Sequence, residues 1–310
     1  MKKLIHISLF LLLSLTAGAQ YSLTNKAKLY FQDKMLDLAI ITIDSAVNHT
    51  GEKDDAHTWW VRGYLYKAKF KAEEIGKEYT PSRDEAITSY RKSLSISPNG
   101  PDAANVRTDM NFLAASYYNE MVNLLDTVHY TKCEKLYLRY KEVTKMFEPA
   151  TDFRSNDKKF YLALGVQIAR KFNFRREDST YRYFEEAVSK FMKVLEVDSL
   201  DYDARYQIAL MYYNFGVETV MSLPEDLPID KVIQAQDKCA ELFLKSLPHM
   251  NKAYESSAGA RKVDILKALM AIYWQLNRMQ EYEDLRKLLL KLEEKGGNEN
   301  KNDQGPEDDH

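Results

Sequence analysis

Histidines, cysteines and paired carboxylates are the residues of this chain that could carry chemistry. Of six histidines, His6 and His310 lie at the chain ends, leaving His49, His57, His129 and His249. None stands in an H-E-x-x-H pattern, which would set two imidazoles on one helix face, and none neighbours a cysteine at metal-ligand spacing. The carboxylate pairs Asp54/Asp55 and Glu185/Glu186 fall at helix starts or on solvated faces, where they favour the helix dipole or solubility. No G-x-S-x-G elbow, glycine-rich phosphate loop or dinucleotide fingerprint is present. The residues therefore point away from catalysis, and neither metal nor cofactor is expected.

The elements that would position a site are helices. With 8 Pro and 11 Gly in 310 residues, and long Lys/Glu/Leu/Ala/Tyr segments between them, a sheet-rich fold is disfavoured. Residues 1–19 place Lys2 and Lys3 before an apolar run, Leu9–Leu13, and end on Ala17, Gly18 and Ala19. That is the layout of a secretory signal cleaved after Ala19, so a periplasmic or secreted protein is expected, with no membrane span in the mature chain. Removing Lys2 and Lys3 takes the formal charge from -2 to -4, which offers nucleic acid no electrostatic footing. Residues 20–295 read as one helical domain. Residues 296–310 carry no apolar side chain and read as a disordered tail.

One stretch organises the rest. Ala204–Gly216 carries Ile208, Ala209, Tyr212 and Phe215 at three- and four-residue steps, which places them on one helix face with a small residue among large ones. Ala187, Phe191 and Val194 offer a matching face on the helix before it. A tryptophan-containing segment, WWVRGYLY, sets Trp59, Gly63 and Tyr66 at the steps W-x2-L-G-x2-Y, with Arg62 in place of Leu, and is followed by Ala86, Tyr90 and Pro98. These spacings resemble the tetratricopeptide repeat. The resemblance implies an all-α superhelix, a solenoid of about six helix-turn-helix repeats. Small packing residues would sit at Gly63, Ala86, Ala114, Gly165, Ala187 and Ala209. The units are longer than the family's, and residues 217–245 read as an insertion in the fifth: a loop to about 230 and a further helix, with Pro248 in the first turn of the next one. In such a stack Cys133 and Cys239, 106 positions apart, are about two repeats distant, so two free thiols are expected.

In this family the first helix of each repeat lines the concave side. Carried over by that register, the groove would receive Trp60, Tyr64 and Lys67, with His57; then Asn111 and Tyr118; then Arg170; then Tyr206, Tyr213 and Asn214; and last Lys267 and Trp274. Such a mixture of aromatic and polar groups suits a peptide or helix of a protein partner. The reading is a non-catalytic scaffold or assembly factor in a bacterial envelope complex. The alternative is a glycan- or peptidoglycan-binding protein, with the same rings stacking on sugars.

Overall fold

The computed structural model describes residues 22–172 and 178–302, and every regular element among them is helical. The signal-like segment 1–19 and the last eight residues of the tail lie outside the described residues. The described helices form two compact units, one from residues up to 124 with 131–151, the other from 125–130 and 152 onward.

The first unit holds α1 (Leu23–Gln32), α2 (Leu36–Ala46), α3 (Ala56–Lys69), α4 (Pro81–Ile96), α5 (Ala103–Asn123) and, but for its first residue, α6 (Tyr130–Phe147). Local chemistry sets where these start. Asp55 accepts from the backbone N–H of His57 and Thr58 at 3.1 and 3.2 Å and caps α3, and Pro81 opens α4, where its missing N–H costs nothing. At α1 the Glu52 carboxylate reaches back from the next loop. It accepts from Leu23 N and Thr24 N, both at 2.8 Å, and from the hydroxyls of Ser22 and Thr24. Beyond α3 the chain continues through a π-helical turn, Phe70–Glu74. The turn buries Glu74, whose carboxylate accepts from Ser82 N at 3.0 Å and Ser82 Oγ at 2.6 Å. Thr80 makes no side-chain cap of its own, so the added turn supplies the cap that α4 lacks.

Helices pair in sequence, and three of the pairings, α3 with α4 and two in the second unit, set a glycine opposite a ring. A Cβ at Gly63 would lie 2.5 Å from the Tyr90 ring. Helices α1, α2 and α3 enclose a core of Ala27, Ala39, Ile40, Ile43, Ala46, Val61 and Leu65. Ala86 and Ala114 are fully buried. Arg62, where the repeat pattern has leucine, is a junction of three helices. It pairs with Asp44 of α2 at 2.8 Å and Glu85 of α4 at 2.9 Å, and it donates to Ser89.

The second unit holds α7 (Arg154–Lys171), α8 (Asp178–Val197), α9 (Tyr202–Met221), α10 (Ile229–Ser256), α11 (Gly259–Gln275) and α12 (Met279–Asn302). Gly165 faces Phe191 as Gly63 faces Tyr90, with a Cβ again 2.5 Å from the ring. Ala187 and Ala209 are fully buried. Phe184 links α8 to α9 through Tyr212 and Phe215, at ring distances of 5.2 and 5.1 Å.

Residues 217–245 depart from the sequence reading. They are no loop with a separate helix, but a lengthening of both arms of one hairpin: α9 runs to Met221 and α10 starts at Ile229. At one level Ser246 Oγ donates to the Ala209 carbonyl at 2.7 Å. One heptad further out, a Cβ at Gly216 would lie 2.9 Å from the Phe243 ring and 3.3 Å from the Cys239 carbonyl oxygen. Val217 and Val220 pack onto the same core, so continued helix there is stabilised by a partner, and Pro224 and Pro228 are confined to the connection.

Nor does Pro248 open a helix, since it lies inside α10. Proline there costs roughly 3 kcal/mol. Leu242, Phe243 and Leu247 before it and Met250 after it are buried, and at about 1.5–3 kcal/mol each they outweigh that cost. Finally, α12 runs to Asn302, seven residues past the tail boundary at 295. Glycine weakens a helix by about 1 kcal/mol relative to alanine without forbidding it, so Gly296 and Gly297 do not end this one.

Candidate protein-binding face

Four side chains of α3 remain at least partly exposed on one side of it: His57, Trp60, Tyr64 and Lys67. Their spacing puts them on one side of the helix, and the structure joins them into a ladder. The rings of His57 and Trp60 are 5.2 Å apart, those of Trp60 and Tyr64 6.2 Å, and Phe31 of α1 meets Tyr64 edge-on at 5.5 Å. Lys67 Nζ stands 4.8 Å above the Tyr64 ring. Helix α5 fixes both ends of the ladder. Asp102 bonds His57 Nδ1 at 2.9 Å, and Asp109 holds Lys67 while accepting from Tyr90 Oη at 2.7 Å. Burial, followed by the Asp109 charge, pushes the Tyr90 phenol far above its ordinary value. Tyr90 therefore stays neutral, and its hydroxyl keeps donating to Asp109.

Between α1 and α3 the ladder borders a cleft of about 260 Å³ lined by Lys28, Phe31, Gln32, Trp60, Val61, Tyr64 and Leu65. The Trp60 indole nitrogen is buried there without a hydrogen-bond partner. Trp59, its neighbour, differs: its indole donates to the Lys53 carbonyl at 2.7 Å and ties down the preceding loop.

The remaining residues assigned to the groove are not gathered around this ladder. On α5, Asn111 is exposed, and Tyr118 packs on Tyr140 of α6, with ring centroids 5.2 Å apart. In the second unit Arg170 is exposed and reaches only Gln167 on its own helix. Tyr206 and Tyr213 pack against the α9–α11 core, Tyr213 at 5.2 Å from the Phe243 ring, so both are half-spent on packing. Burial and the nearby Asp264 carboxylate raise the Tyr206 phenol. Asn214 is partly buried on α9. Lys267 pairs with Glu293 at 3.4 Å, and Trp274, 55% exposed, sits 5.4 Å from Tyr282. These two residues thus face α12.

Sequence reasoning missed Phe31, Asp102 and Asp109. Asp109 on α5 and Asp102 at its N-cap stand seven apart, about two turns, but nothing local names their partners. Cys133 and Cys239 are free and buried. Among the described residues no group of three or more His, Cys, Asp or Glu is placed to hold a metal, and no helix is long and apolar enough to cross a membrane.

Helix pairs, three of them closed by glycine against a ring, define an all-α protein built of helical hairpins. No family model and no curated protein matches the sequence. Similar solved structures include an IFIT1 monomeric mutant with Gppp-AAAA, at 15% identity, 86% coverage of this chain and 58% of that one, with a TM-score of 0.30. They also include a human IFIT1 dimer with PPP-AAAA, at 14% identity, 86% and 59% coverage and a TM-score of 0.24. A third is residues 1–338 of the assembly chaperone of RpL4, Acl4, at 10% identity, 89% and 98% coverage and a TM-score of 0.21. The chain spans less than two thirds of the IFIT1 chains it matches. At these values nothing about activity or partners carries over.

Proposed function

We propose that this protein is a non-catalytic scaffold that binds a peptide or helix of a protein partner on the α3 face of its first unit. The observation that carries the reading is the ladder of His57, Trp60 and Tyr64, whose rings are only partly covered and are flanked by a largely apolar cleft. Aromatic groups with few rotors and a polar edge lose little entropy on binding and anchor interfaces. We also propose that the chain is exported to the cell envelope, on the strength of residues 1–19; amino-terminal sequencing of the native protein is then expected to begin at Gln20.

The binding reading is tested by placing a photo-crosslinking residue at position 64 and, as control, at Arg91, an exposed residue of α4. A polypeptide adduct formed in the native host from position 64 and not from 91 is expected. Equal adducts from both positions would refute it. A second reading, glycan binding, is favoured by the exposed Trp274 beside Tyr282 above a cleft of about 340 Å³. Quenching of Trp274 fluorescence by soluble peptidoglycan fragments, with no crosslink from position 64, would favour it over the first.

A further inference from the structure

The α1/α3 cleft is small and chemically one-sided. At about 260 Å³ it falls below the roughly 300–1,000 Å³ of pockets that take whole small ligands, and it has room for one large side chain. Its walls are the rings of Phe31, Trp60 and Tyr64 with Val61 and Leu65, and no Asp or Glu lines it. One of its polar groups is an open donor: Lys28 is exposed, and its ammonium has no ion-pair partner among the described residues. The next cation along the face, Lys67, is already held by Asp109.

We infer that this cleft seats a large apolar side chain of an extended partner segment whose adjoining residue is acidic, the carboxylate meeting Lys28. The inference rests on the protein-binding reading above and names the chemistry of its partner. Charge separates this occupant from a polyanion. Asp54, Asp55 and Asp102 line the adjoining cleft beside His57, so a single local acid at Lys28 is accommodated whereas a phosphate backbone continued past His57 meets like charge. An extended strand advances about 3.3 Å per residue, which keeps an acid one residue from the anchored side chain within reach of the cleft rim.

The test is selection of a random displayed peptide library on the full chain, followed by fluorescence-polarisation titration of the best peptide with wild type, Lys28→Glu and Tyr64→Ala. Lys28 and Tyr64 are both exposed, and far-UV circular dichroism checks that each variant is folded. The expected result is enrichment of a large apolar residue next to Asp or Glu. Binding should fall at least tenfold in Tyr64→Ala and about tenfold in Lys28→Glu. The loss in Lys28→Glu should be recovered when the acid of the peptide is replaced by lysine. Peptides that depend on Tyr64 but show no acidic preference, or that ignore Lys28→Glu, would overturn the inference and leave the binding reading standing. If no peptide depends on Tyr64, both fall. Displacement of the peptide by single-stranded RNA at similar concentration would also overturn it.

Discussion

Replacing Gly63 by alanine pits two effects of opposite sign against each other, and the structure says which wins. Alanine is favoured over glycine in a helix interior by about 1 kcal/mol. Against this, the new methyl would sit 2.5, 2.6 and 2.9 Å from three atoms of the Tyr90 ring, an overpacking that costs roughly 1–3 kcal/mol. The ring cannot withdraw freely, because its hydroxyl is bonded to Asp109 at 2.7 Å and Asp109 also holds Lys67. Moving it puts at risk a hydrogen bond to a charged group worth about 1.5–3 kcal/mol. The net expectation is destabilisation by about 2–4 kcal/mol. Gly165 provides the internal control, since its methyl would meet Phe191 at the same 2.5 Å, but that ring has no hydroxyl to tether it. Gly165→Ala is therefore expected to cost only about 0–2 kcal/mol. The assay is urea unfolding followed by far-UV circular dichroism and by tryptophan fluorescence in a Trp274→Phe background, which leaves Trp59 and Trp60 as reporters of the first unit. In a Tyr90→Phe background the cost of Gly63→Ala should drop toward that of Gly165→Ala. If Gly63→Ala raises the unfolding midpoint, helix propensity is acting unopposed, and the close approach of α3 to α4 is wrong.

Other consequences can be measured on the same footing. Ala187→Arg and Ala209→Arg should each cost more than about 3 kcal/mol, because a long cation would be forced unpaired into a fully buried site; thermal melts unchanged in both would contradict the hairpin packing. Burial raises the Glu52 carboxyl, but the hydrogen bonds from Thr24, Ser22 and Leu23 outweigh it and leave the group below its ordinary 4.5. Its contribution is thus present above about pH 4.5 and lost as pH falls through the lowered folded value, so Glu52→Gln should flatten that part of the stability curve for the first unit. An unaltered acid limb would show that the carboxylate cap is not formed. Pro248→Ala should raise the melting temperature, since an exposed proline inside α10 is replaced by a residue with an N–H to give; a lower midpoint would mean that the proline makes a contact that stabilises the helix.

What could be read from the sequence follows from how local its causes are. Gly63, Tyr90 and Pro98 lie at spacings set by two helices and a turn, and the motif survives the extra length between α3 and α4 because a π-helical turn absorbs it. The fifth hairpin was legible as a pair but not as a lengthened one. Ala209 with Ser246, Met250 and Ala253 met the small-residue rule, and the same rule is met again one heptad outward by Gly216 with Cys239 and Phe243. Pro248 misled for a related reason: proline marks helix starts by local chemistry, and only the burial of the residues around it reveals that tertiary packing overrides the signal. On the α3 face the rings and Lys67 were legible from register. Their partners Phe31, Asp102 and Asp109 come from helices one hairpin away on either side and carry no mark in the sequence.

The division of labour around α3 explains why its outward face is free to evolve a binding role. Thr58 bonds Thr24 of α1 at 2.8 Å, Val61 and Leu65 enter the core, Arg62 and Tyr66 both bond Asp44 of α2, and Gly63 admits Tyr90. The fold therefore draws its stability from positions 58, 61, 62, 63, 65 and 66. Positions 57 and 64 stand outside that core, Trp60 packs against its edge, and Asp102 and Asp109 hold the two end members His57 and Lys67 still. A face preordered in this way loses little further side-chain entropy when a partner docks. Substitutions at Tyr64 should for that reason separate binding from folding more cleanly than those at Tyr213, whose ring is half committed to Phe243.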